Sequence, residues 1–233
     1  MSAPVAIVTD IEGTTSSIAF VRDVLFPFAR RHLAEYVATH GQRSSVRQCL
    51  SDARTLAGEP ALDDVGTVAL LQRWLGEDRK ATPLKTLQGL IWADGYARGE
   101  LKGHVYADAA RALREWSERG LRLYVYSSGS VAAQKLIFGY SVEGDLTPLF
   151  SGYFDTTTGP KLEAASYTKI AQALALPPGD ILFLSDNVAE LDAARRAGFG
   201  TACLDRGEAS IPPGHGHPTF HDFTSLDPFA RVP

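Results

Sequence analysis

The stretch Val5–Thr15 constrains this chain more than any other part of its sequence. It reads VAIVTDIEGTT, so that a short apolar run, Val5–Val8, is followed by two carboxylates and a glycine. Such a run is typical of a buried strand in a parallel sheet, and open α/β sheets bind their ligands at the carboxyl ends of those strands. We predict that Asp10 and Glu12 lie at a strand tip, where Gly13 lets the chain turn. A carboxylate there can act as a nucleophile, a metal ligand or an acid–base group, although an acidic turn without a function would give the same pattern.

Length and composition limit the classes of protein to which the chain can belong. Its 233 residues suit one large domain or a core with an inserted subdomain, and its net charge of −4 argues against nonspecific nucleic-acid binding. Cys49 and Cys203 are the only cysteines and form no disulfide framework, which indicates a reducing compartment, the cytoplasm. No stretch approaches the roughly 18 apolar residues of a membrane span, and the first residues lack signal-peptide features. We expect a monomer with a small-molecule substrate and no nucleic-acid or membrane partner.

A helical block follows the first strand and separates it from the next. Apolar residues recur at helical spacing through residues 16–103, and the last predicted helix begins with Thr82 as N-cap and Pro83 in its first turn. A helical block between two buried strands is an insertion rather than part of an alternating β–α sheet. The predicted fold is therefore α/β: a doubly wound, parallel-sheet core of residues 1–15 and 105–233, carrying an all-helical cap of residues 16–104.

An alternating pattern of helices and strands resumes near His104 and continues to about Leu204. Each predicted strand is a short apolar run followed by a polar turn. These strands cover Leu121–Tyr126, Tyr153–Phe154, Ile181–Leu184 and Thr201–Leu204.

The tail from Asp205 onward is rich in Pro, Gly and His and is predicted to be a loop with a short terminal helix. His215, His217 and His221 have a spacing that could hold zinc, but the surrounding Pro and Gly residues provide no rigid element to fix the ligand geometry. We therefore favour a flexible surface loop at these histidines.

Polar residues follow three of the predicted strands, and all three strand tips are expected at one edge of a parallel sheet. Asp10 and Glu12 follow the first, Ser127-Ser128 the second and Ser185-Asp186 the third, while Lys161 lies on a loop between the last two. This set supplies what phosphoryl transfer through an aspartyl-phosphate requires: a carboxylate nucleophile, a hydroxyl and an ammonium to hold phosphoryl oxygens, and carboxylates for a divalent cation. Mg²⁺ suits a site of few carboxylates, waters and a phosphate.

The same motifs resemble those of the haloacid dehalogenase-like phosphohydrolases. Within that superfamily, five longer stretches are similar to the enolase-phosphatases, also called acireductone synthases, of methionine salvage. They are DIEGTTSSIAFV, GLIWADGYARGELKGHVYADA, SSGSVAAQKLIF, TTTGPKLEAASY and LSDNVAELDAA, and the resemblance covers nearly the whole chain. It implies enolisation of 2,3-diketo-5-methylthiopentyl-1-phosphate, then removal of the phosphate to give acireductone (1,2-dihydroxy-3-keto-5-methylthiopentene), in a site that the helical cap covers.

The resemblance also implies roles for the acidic residues. Asp10 corresponds to the nucleophile and a metal ligand, and Asp186 to the metal-ligating carboxylate of the third tip. Glu12 stands where the wider superfamily commonly has a second Asp, so it is implied to be either a further metal ligand or the acid–base group. One Mg²⁺ per chain is expected.

For the phosphate, the resemblance implies Ser127 and Ser128 as contacts and Lys161 as the phosphate-binding, charge-stabilising lysine. The enolisation needs loss of a proton next to a carbonyl, with the metal or Lys161 stabilising the enolate. Glu12 is the nearest acid–base candidate, but the sequence does not identify the base.

Several of these side chains also have structural explanations. Ser127 or Ser128 could cap the following helix, since Ser-Gly-Ser before a helix is a capping pattern. Glu190 and Asp192 are predicted to lie on a solvated helix face. Four residues at the end of the helical block could either contact substrate or pack within the cap, namely Trp92, Tyr96, Lys102 and His104.

Three other functions use related residues. A plain phosphatase acting on another small phosphate ester would need the same core motifs. A dehalogenase would use Asp10 without metal, which the pairing of Glu12 with Asp186 disfavours. A receiver-like signalling domain usually lacks a large helical insertion after its first strand and carries its acceptor Asp on a later one.

Overall fold

A single parallel sheet alternates with helices in this protein, whose structure is a computed structural model describing residues 3–77 and 79–229. The predicted α/β class is confirmed. The strands are β1 Ala6–Thr9, β2 Arg122–Tyr126, β3 Phe150–Phe154, β4 Ile181–Ser185, β5 Gly200–Leu204 and β6 Thr219–Phe220. The α-helices are α1 Ile18–Phe20, α2 Phe26–His40, α3 Ser44–Ala57, α4 Asp64–Gly76, α5 Thr82–Ala97, α6 Ala107–Glu118, α7 Val131–Gly139, α8 Ala164–Leu174 and α9 Val188–Arg196.

The sheet has the order β3-β2-β1-β4-β5-β6, and all its neighbouring strands are parallel. β1 lies between β2 and β4, so that Thr9 pairs with Val125 on one side and with Leu184 on the other. Every residue of β1 and β4 is buried, because a sheet covered by helices on both faces requires continuous apolar strands. The chain adds β2 and β3 on one side of β1 and then crosses to add β4, β5 and β6 on the other, which makes the carboxyl end of β1 the switch point where such sheets bind ligands.

The chain divides into two compact units. The core unit comprises residues up to Ile18 and from Lys102 onward, and the helical unit comprises Ala19–Leu101. The chain passes from one unit to the other after Ile18 and after Leu101, within three residues of the predicted boundaries at residues 16 and 104. That the helical unit serves as a cap stays a prediction.

The helical unit is held together by the apolar faces of its own helices. α1 passes through a π-helical turn, Val21–Leu25, directly into α2. The indole nitrogen of Trp92 donates to the carbonyl of Leu25 at 2.8 Å, so Trp92 has a packing role in this unit. The predicted N-cap of α5 is wrong by one residue, since Ala81 occupies the cap position and Thr82 is the first helical residue. A proline fits either of the first two positions of a helix, so Pro83 allows both assignments. Across the described residues, no helix is long and apolar enough to cross a membrane.

The tail differs from its prediction, because part of it adds a strand to the sheet. β6 pairs with β5, and residues 221–229 contain no helix. His217 is buried rather than on a flexible loop: its Nδ1 lies 2.8 Å from Thr201 Oγ1 and its Nε2 lies 3.2 Å from Asp192 Oδ1. Burial lowers the pKa of His217, and the nearby charge of Arg195 adds to this effect. Together these contacts fasten the tail to β5 and α9.

Within the helical unit, Asp64 joins α3 to α4 through two arginines. Arg54 Nη2 lies 2.6 Å from Asp64 Oδ1, and Arg47 bonds to Asp64 Oδ2. Arg54 also donates from Nε to Thr67 at 2.7 Å. The hydrogen bond from Arg47, followed by that from Arg54, holds the pKa of Asp64 below its usual range against the opposing effect of burial.

We predict that Asp64→Ala lowers the free energy of unfolding by about 1–2 kcal/mol, because two partly buried guanidinium groups lose their carboxylate. Urea denaturation would measure the change. Asp52→Ala is the matched control, since Asp52 only accepts from Gln48 on an exposed helix face and its loss should cost about 0.5 kcal/mol or less. Equal effects of the two substitutions would contradict the role given to Asp64.

Candidate active site

Asp10 lies at the tip of the central strand, and both of its carboxylate oxygens are engaged. Oδ1 accepts from the Ile11 backbone N–H at 2.7 Å and is 2.7 Å from the ammonium of Lys161. Oδ2 accepts from the Ser185 hydroxyl at 3.3 Å. The carboxylate is thus buried in a fixed orientation, as a nucleophile must be.

Lys161 is only 7% exposed and bridges two carboxylates. Its Nζ lies 2.7 Å from Asp10 Oδ1 and 2.6 Å from Glu190 Oε2. Burial by itself would lower the pKa of Lys161, but the charges of Asp10 and Glu190 raise it above its usual range. Lys161 is therefore a permanent cation beside Asp10, and a surface lysine is excluded.

The loop that delivers Lys161 is tied down at three consecutive carbonyls. Tyr126 donates to the carbonyl of Gly159 at 2.8 Å, Ser166 to that of Pro160 at 2.7 Å, and Tyr167 to that of Lys161 at 2.8 Å. Gly159 has φ of +149°, and a Cβ there would collide with the Ser166 hydroxyl. The two tyrosines and Ser166 therefore fix the backbone from which the buried ammonium extends.

Glu190 is a site residue that the sequence analysis placed wrongly on a solvated helix face. It is buried on the first turn of α9 and contacts Lys161 and the Ser185 hydroxyl, the latter at 3.1 Å. Burial and then the charge of Asp10 raise its pKa, outweighing the opposite effect of Lys161. Glu190 lies four residues after Asp186, shortly after the end of β4. This closeness to a predicted site residue is the signal in the sequence that indicates a place in the site. Asp192, by contrast, is partly exposed, as predicted.

Asp186 packs against the loop that follows Asp10. A Cβ at Gly13 would collide with Asp186 Oδ2, and the Asp186 backbone N–H donates to the Thr14 hydroxyl at 3.0 Å. Burial, and then the charge of Asp10, raise the pKa of Asp186 to about 7, with a smaller contribution from Glu12. The two carboxylates therefore repel each other across the strand tips.

The remaining predicted residues lie at the same edge of the sheet, with different exposure. Glu12 is exposed, in the loop after β1. Ser127 is buried at the tip of β2, where its hydroxyl accepts from the Gly129 N–H at 3.2 Å, whereas Ser128 is exposed. Neither caps α7, because Ser130 occupies that position and accepts from Ala133. The capping alternative for Ser127 and Ser128 is therefore wrong.

His104 belongs to the core unit but not to the group of strand-tip side chains described above. Its Nδ1 accepts from the Ser17 backbone N–H at 3.0 Å, and its ring packs edge-on against Tyr106. Tyr96 is buried within the helical unit, and Lys102 is exposed. A substrate contact from any of these three stays a prediction.

The donor chemistry of the strand tips fits Mg²⁺. Within residues 3–77 and 79–229, no group of three or more His, Cys, Asp or Glu side chains is close enough together to hold a metal ion on its own. Mg²⁺ commonly needs only one or two carboxylates, with waters and a substrate phosphate completing its shell. Asp10 and Asp186 are two such carboxylates, and the pKa of Asp186 is raised by burial and then by the charge of Asp10, both of which a bound cation would oppose.

Comparisons with known proteins identify the family of the chain. A model of the haloacid dehalogenase-like hydrolase family matches residues 5–198. A relative from Pseudomonas syringae pv. syringae is 58% identical over 96% of this chain and 97% of its own length, and one from Methylococcus capsulatus is 55% identical with the same coverage. Both are named enolase-phosphatase E1.

Solved structures have the same fold. The UTR4 protein of Saccharomyces cerevisiae is 35% identical with a TM-score of 0.81, covering 96% of this chain and 100% of that one. CbbY of Rhodobacter sphaeroides, solved with phosphate, is 18% identical with a TM-score of 0.61 over 96% of both chains, a likeness of fold alone. The chain belongs to the haloacid dehalogenase-like hydrolases and, among them, to the family of the enolase-phosphatases.

We predict that Asp186→Asn stabilises the metal-free protein at high pH and not at low pH. The pKa of the folded carboxyl lies above that of the unfolded chain, so ionising Asp186 destabilises the fold increasingly as the pH rises from about 4 to about 8. We expect a gain of about 1–3 kcal/mol at pH 8 that vanishes near pH 4. Denaturant titrations in excess chelator at both values would measure it.

Asp180→Asn is the control for this experiment, because Asp180 is a partly exposed acid in the turn that precedes β4. A gain for Asp186→Asn that is independent of pH would contradict the repulsion between Asp10 and Asp186.

Proposed function

We propose that this chain is a Mg²⁺-dependent enolase-phosphatase, converting 2,3-diketo-5-methylthiopentyl-1-phosphate to acireductone and phosphate in methionine salvage. The observation that carries the proposal is the buried pairing of Asp10 with Lys161 at the tip of the central strand. The relatives named enolase-phosphatase E1, at 55–60% identity over nearly the whole chain, support the substrate.

In the proposed dephosphorylation, a carboxylate oxygen of Asp10 forms a bond to phosphorus while the bond from phosphorus to the ester oxygen of the substrate breaks. Water then hydrolyses the aspartyl-phosphate and releases phosphate. Lys161 remains protonated and lies against Asp10, so it is suited to stabilise the charge that develops on the phosphoryl oxygens. The Ser127 and Ser128 hydroxyls, at the neighbouring tip of β2, are the proposed phosphate contacts.

Asp10 and Asp186 are the proposed carboxylate ligands of the metal. Bound Mg²⁺ would offset the negative charge that otherwise repels attack by Asp10 on a phosphate. The Asp10 carboxylate is held by the Ile11 backbone N–H and the Ser185 hydroxyl, and the backbone N–H of Asp186 donates to the Thr14 hydroxyl.

Of the two roles implied for Glu12, we propose proton transfer. Glu12 is exposed in the loop after β1. An accessible carboxylate at this edge is suited to remove the proton next to the substrate carbonyl and to protonate a leaving oxygen. The helical unit is the proposed cap, excluding water during the reaction.

We further propose that the protein acts as a cytoplasmic monomer. Both cysteines are buried and free, in keeping with a reducing compartment.

Two rivals from the same family remain and are separable by assay. A plain phosphatase would release phosphate from generic esters such as p-nitrophenyl phosphate but would form no enol from the diketo phosphate. A dehalogenase would work in excess chelator. Following phosphate release and enol absorbance together on the diketo phosphate, and halide release from a 2-haloacid in parallel, each with Mg²⁺ and then with chelator, distinguishes all three. We expect both signals with Mg²⁺ and neither phosphate release nor dehalogenation in chelator.

We predict that Asp10→Asn divides the two half-reactions. An amide has nearly the shape of a carboxylate but is a poor nucleophile, so phosphate release should fall by at least about a thousandfold. Enolisation requires no attack by Asp10, so the enol phosphate should still form, at a reduced rate because one metal ligand is weakened. Proton exchange in heavy water at the carbon bearing the phosphate, followed by NMR, reports this step alone.

Phosphate release within about tenfold of the unmodified protein would remove Asp10 from its role. Exchange no faster than without enzyme would mean that Asp10 is required in both steps. Asp180→Asn, in a turn at the opposite end of β4, is the control and should change neither signal.

A further inference from the structure

Arg206 is a buried cation that none of the proposed catalytic steps uses. It follows β5, and its side chain is 7% exposed. Its guanidinium stacks on the ring of Tyr106 with 4.1 Å between the guanidinium carbon and the ring centroid, and lies 5.4 Å from that of Phe223. Nη2 is 2.9 Å from Asp108 Oδ2, an ion pair whose angle is too poor for a hydrogen bond. A charge so enclosed must be compensated by well-placed partners.

One of those partners is the loop that carries the nucleophile. Arg206 Nε donates to the backbone carbonyl of Thr14 at 3.1 Å. Two residues further along, Glu208 accepts from the Ile18 N–H at 2.7 Å and from the Tyr106 hydroxyl. The loop after β5 therefore holds the loop after β1 at two points.

Thr14 connects Arg206 to the site, because its side chain and its carbonyl face different partners. Its hydroxyl accepts the backbone N–H of Asp186, and its own N–H donates to the carbonyl of Ile11, the residue after Asp10. Thr14 is completely buried, and its neighbour Gly13 is in contact with the Asp186 carboxylate. A displacement of Thr14 would therefore change the distance between Asp10 and Asp186.

We propose that Arg206 is a positioning residue that holds Thr14, and through it Asp186, at the separation from Asp10 that the metal requires. The part of this inference that concerns the metal rests on the proposed function. The planar guanidinium of Arg206 contacts Thr14 and Asp108 with its nitrogens while its face stacks on Tyr106. The ammonium of a lysine cannot make all three contacts. Arg206→Lys therefore keeps the charge and removes the positioning.

The test uses the metal-free full-length protein first. Hydrogen exchange of the Asp186 amide, measured by NMR, should be at least about tenfold faster in Arg206→Lys and in Thr14→Val, and close to unmodified in Thr14→Ser, which keeps the hydroxyl. Calorimetric titration with Mg²⁺ alone should then show binding weakened by about 10–100-fold in the first two variants, as is usual for partners of metal ligands, and restored in Thr14→Ser.

Arg54→Lys is the matched control. Arg54 is a partly buried arginine, paired with Asp64 and Thr67 in the helical unit, so its replacement should lower stability without changing the Asp186 amide or Mg²⁺ binding. If Arg206→Lys behaves in the same way as Arg54→Lys, Arg206 is only structural and the proposal is overturned. If the unmodified protein binds no Mg²⁺, the proposed function fails in its metal requirement, while the exchange of the Asp186 amide still decides whether Arg206 positions it.

Discussion

The buried ammonium of Lys161 is the charge on which the arrangement of the strand tips depends. Asp10 and Glu190 are both enclosed, and without a cation between them two buried carboxylates would repel each other and lose the hydration of the unfolded chain. At Asp186, burial and then the charge of Asp10 raise the pKa despite the opposing charge of Lys161. The site is therefore unfavourable for the stability of the fold, as sites prepared for a ligand of opposite charge commonly are.

The surrounding core accounts for how such a group can be held. The carbonyls of Gly159, Pro160 and Lys161 each accept a hydroxyl hydrogen bond, and these donors come from β2 and from the buried face of α8. A long, flexible side chain loses considerable rotamer entropy when it is fixed. A rigid backbone beneath the side chain is therefore needed to keep its charged end in one position. The aromatic contact of Tyr126 with Tyr167 joins the two donors to one another, so the lysine loop rests on a continuous layer of packed rings.

Much of this arrangement follows from local sequence patterns. The short apolar runs that end in Asp10, Ser127 and Asp186 identify the strands and their tips, because burial on both faces demands such runs and parallel strands share one edge. Glu190 was missed because its helix, α9, has polar and charged residues on several sides, and only the tertiary contact with Lys161 distinguishes one acid from the next. β6 has no signal in the sequence, because two residues in a Pro- and Gly-rich tail carry no periodicity, and the contact of the nearby His217 with Thr201 of β5 is a tertiary one.

The role of Arg206 has no signal in the sequence for a related reason, since its neighbours in the chain belong to none of the predicted catalytic motifs. Its partners, Thr14, Tyr106 and Asp108, come from stretches that the helical unit separates in the chain but that the core unit brings together. The strand tips alone cannot set the spacing of Asp10 and Asp186, because each tip continues into a loop with its own freedom. The carbonyl of Thr14, the carboxylate of Asp108 and the ring of Tyr106 together restrict where the buried guanidinium of Arg206 can lie. Arg206 therefore restrains the loop after β1, whose position the hydrogen bonds of the sheet do not fix.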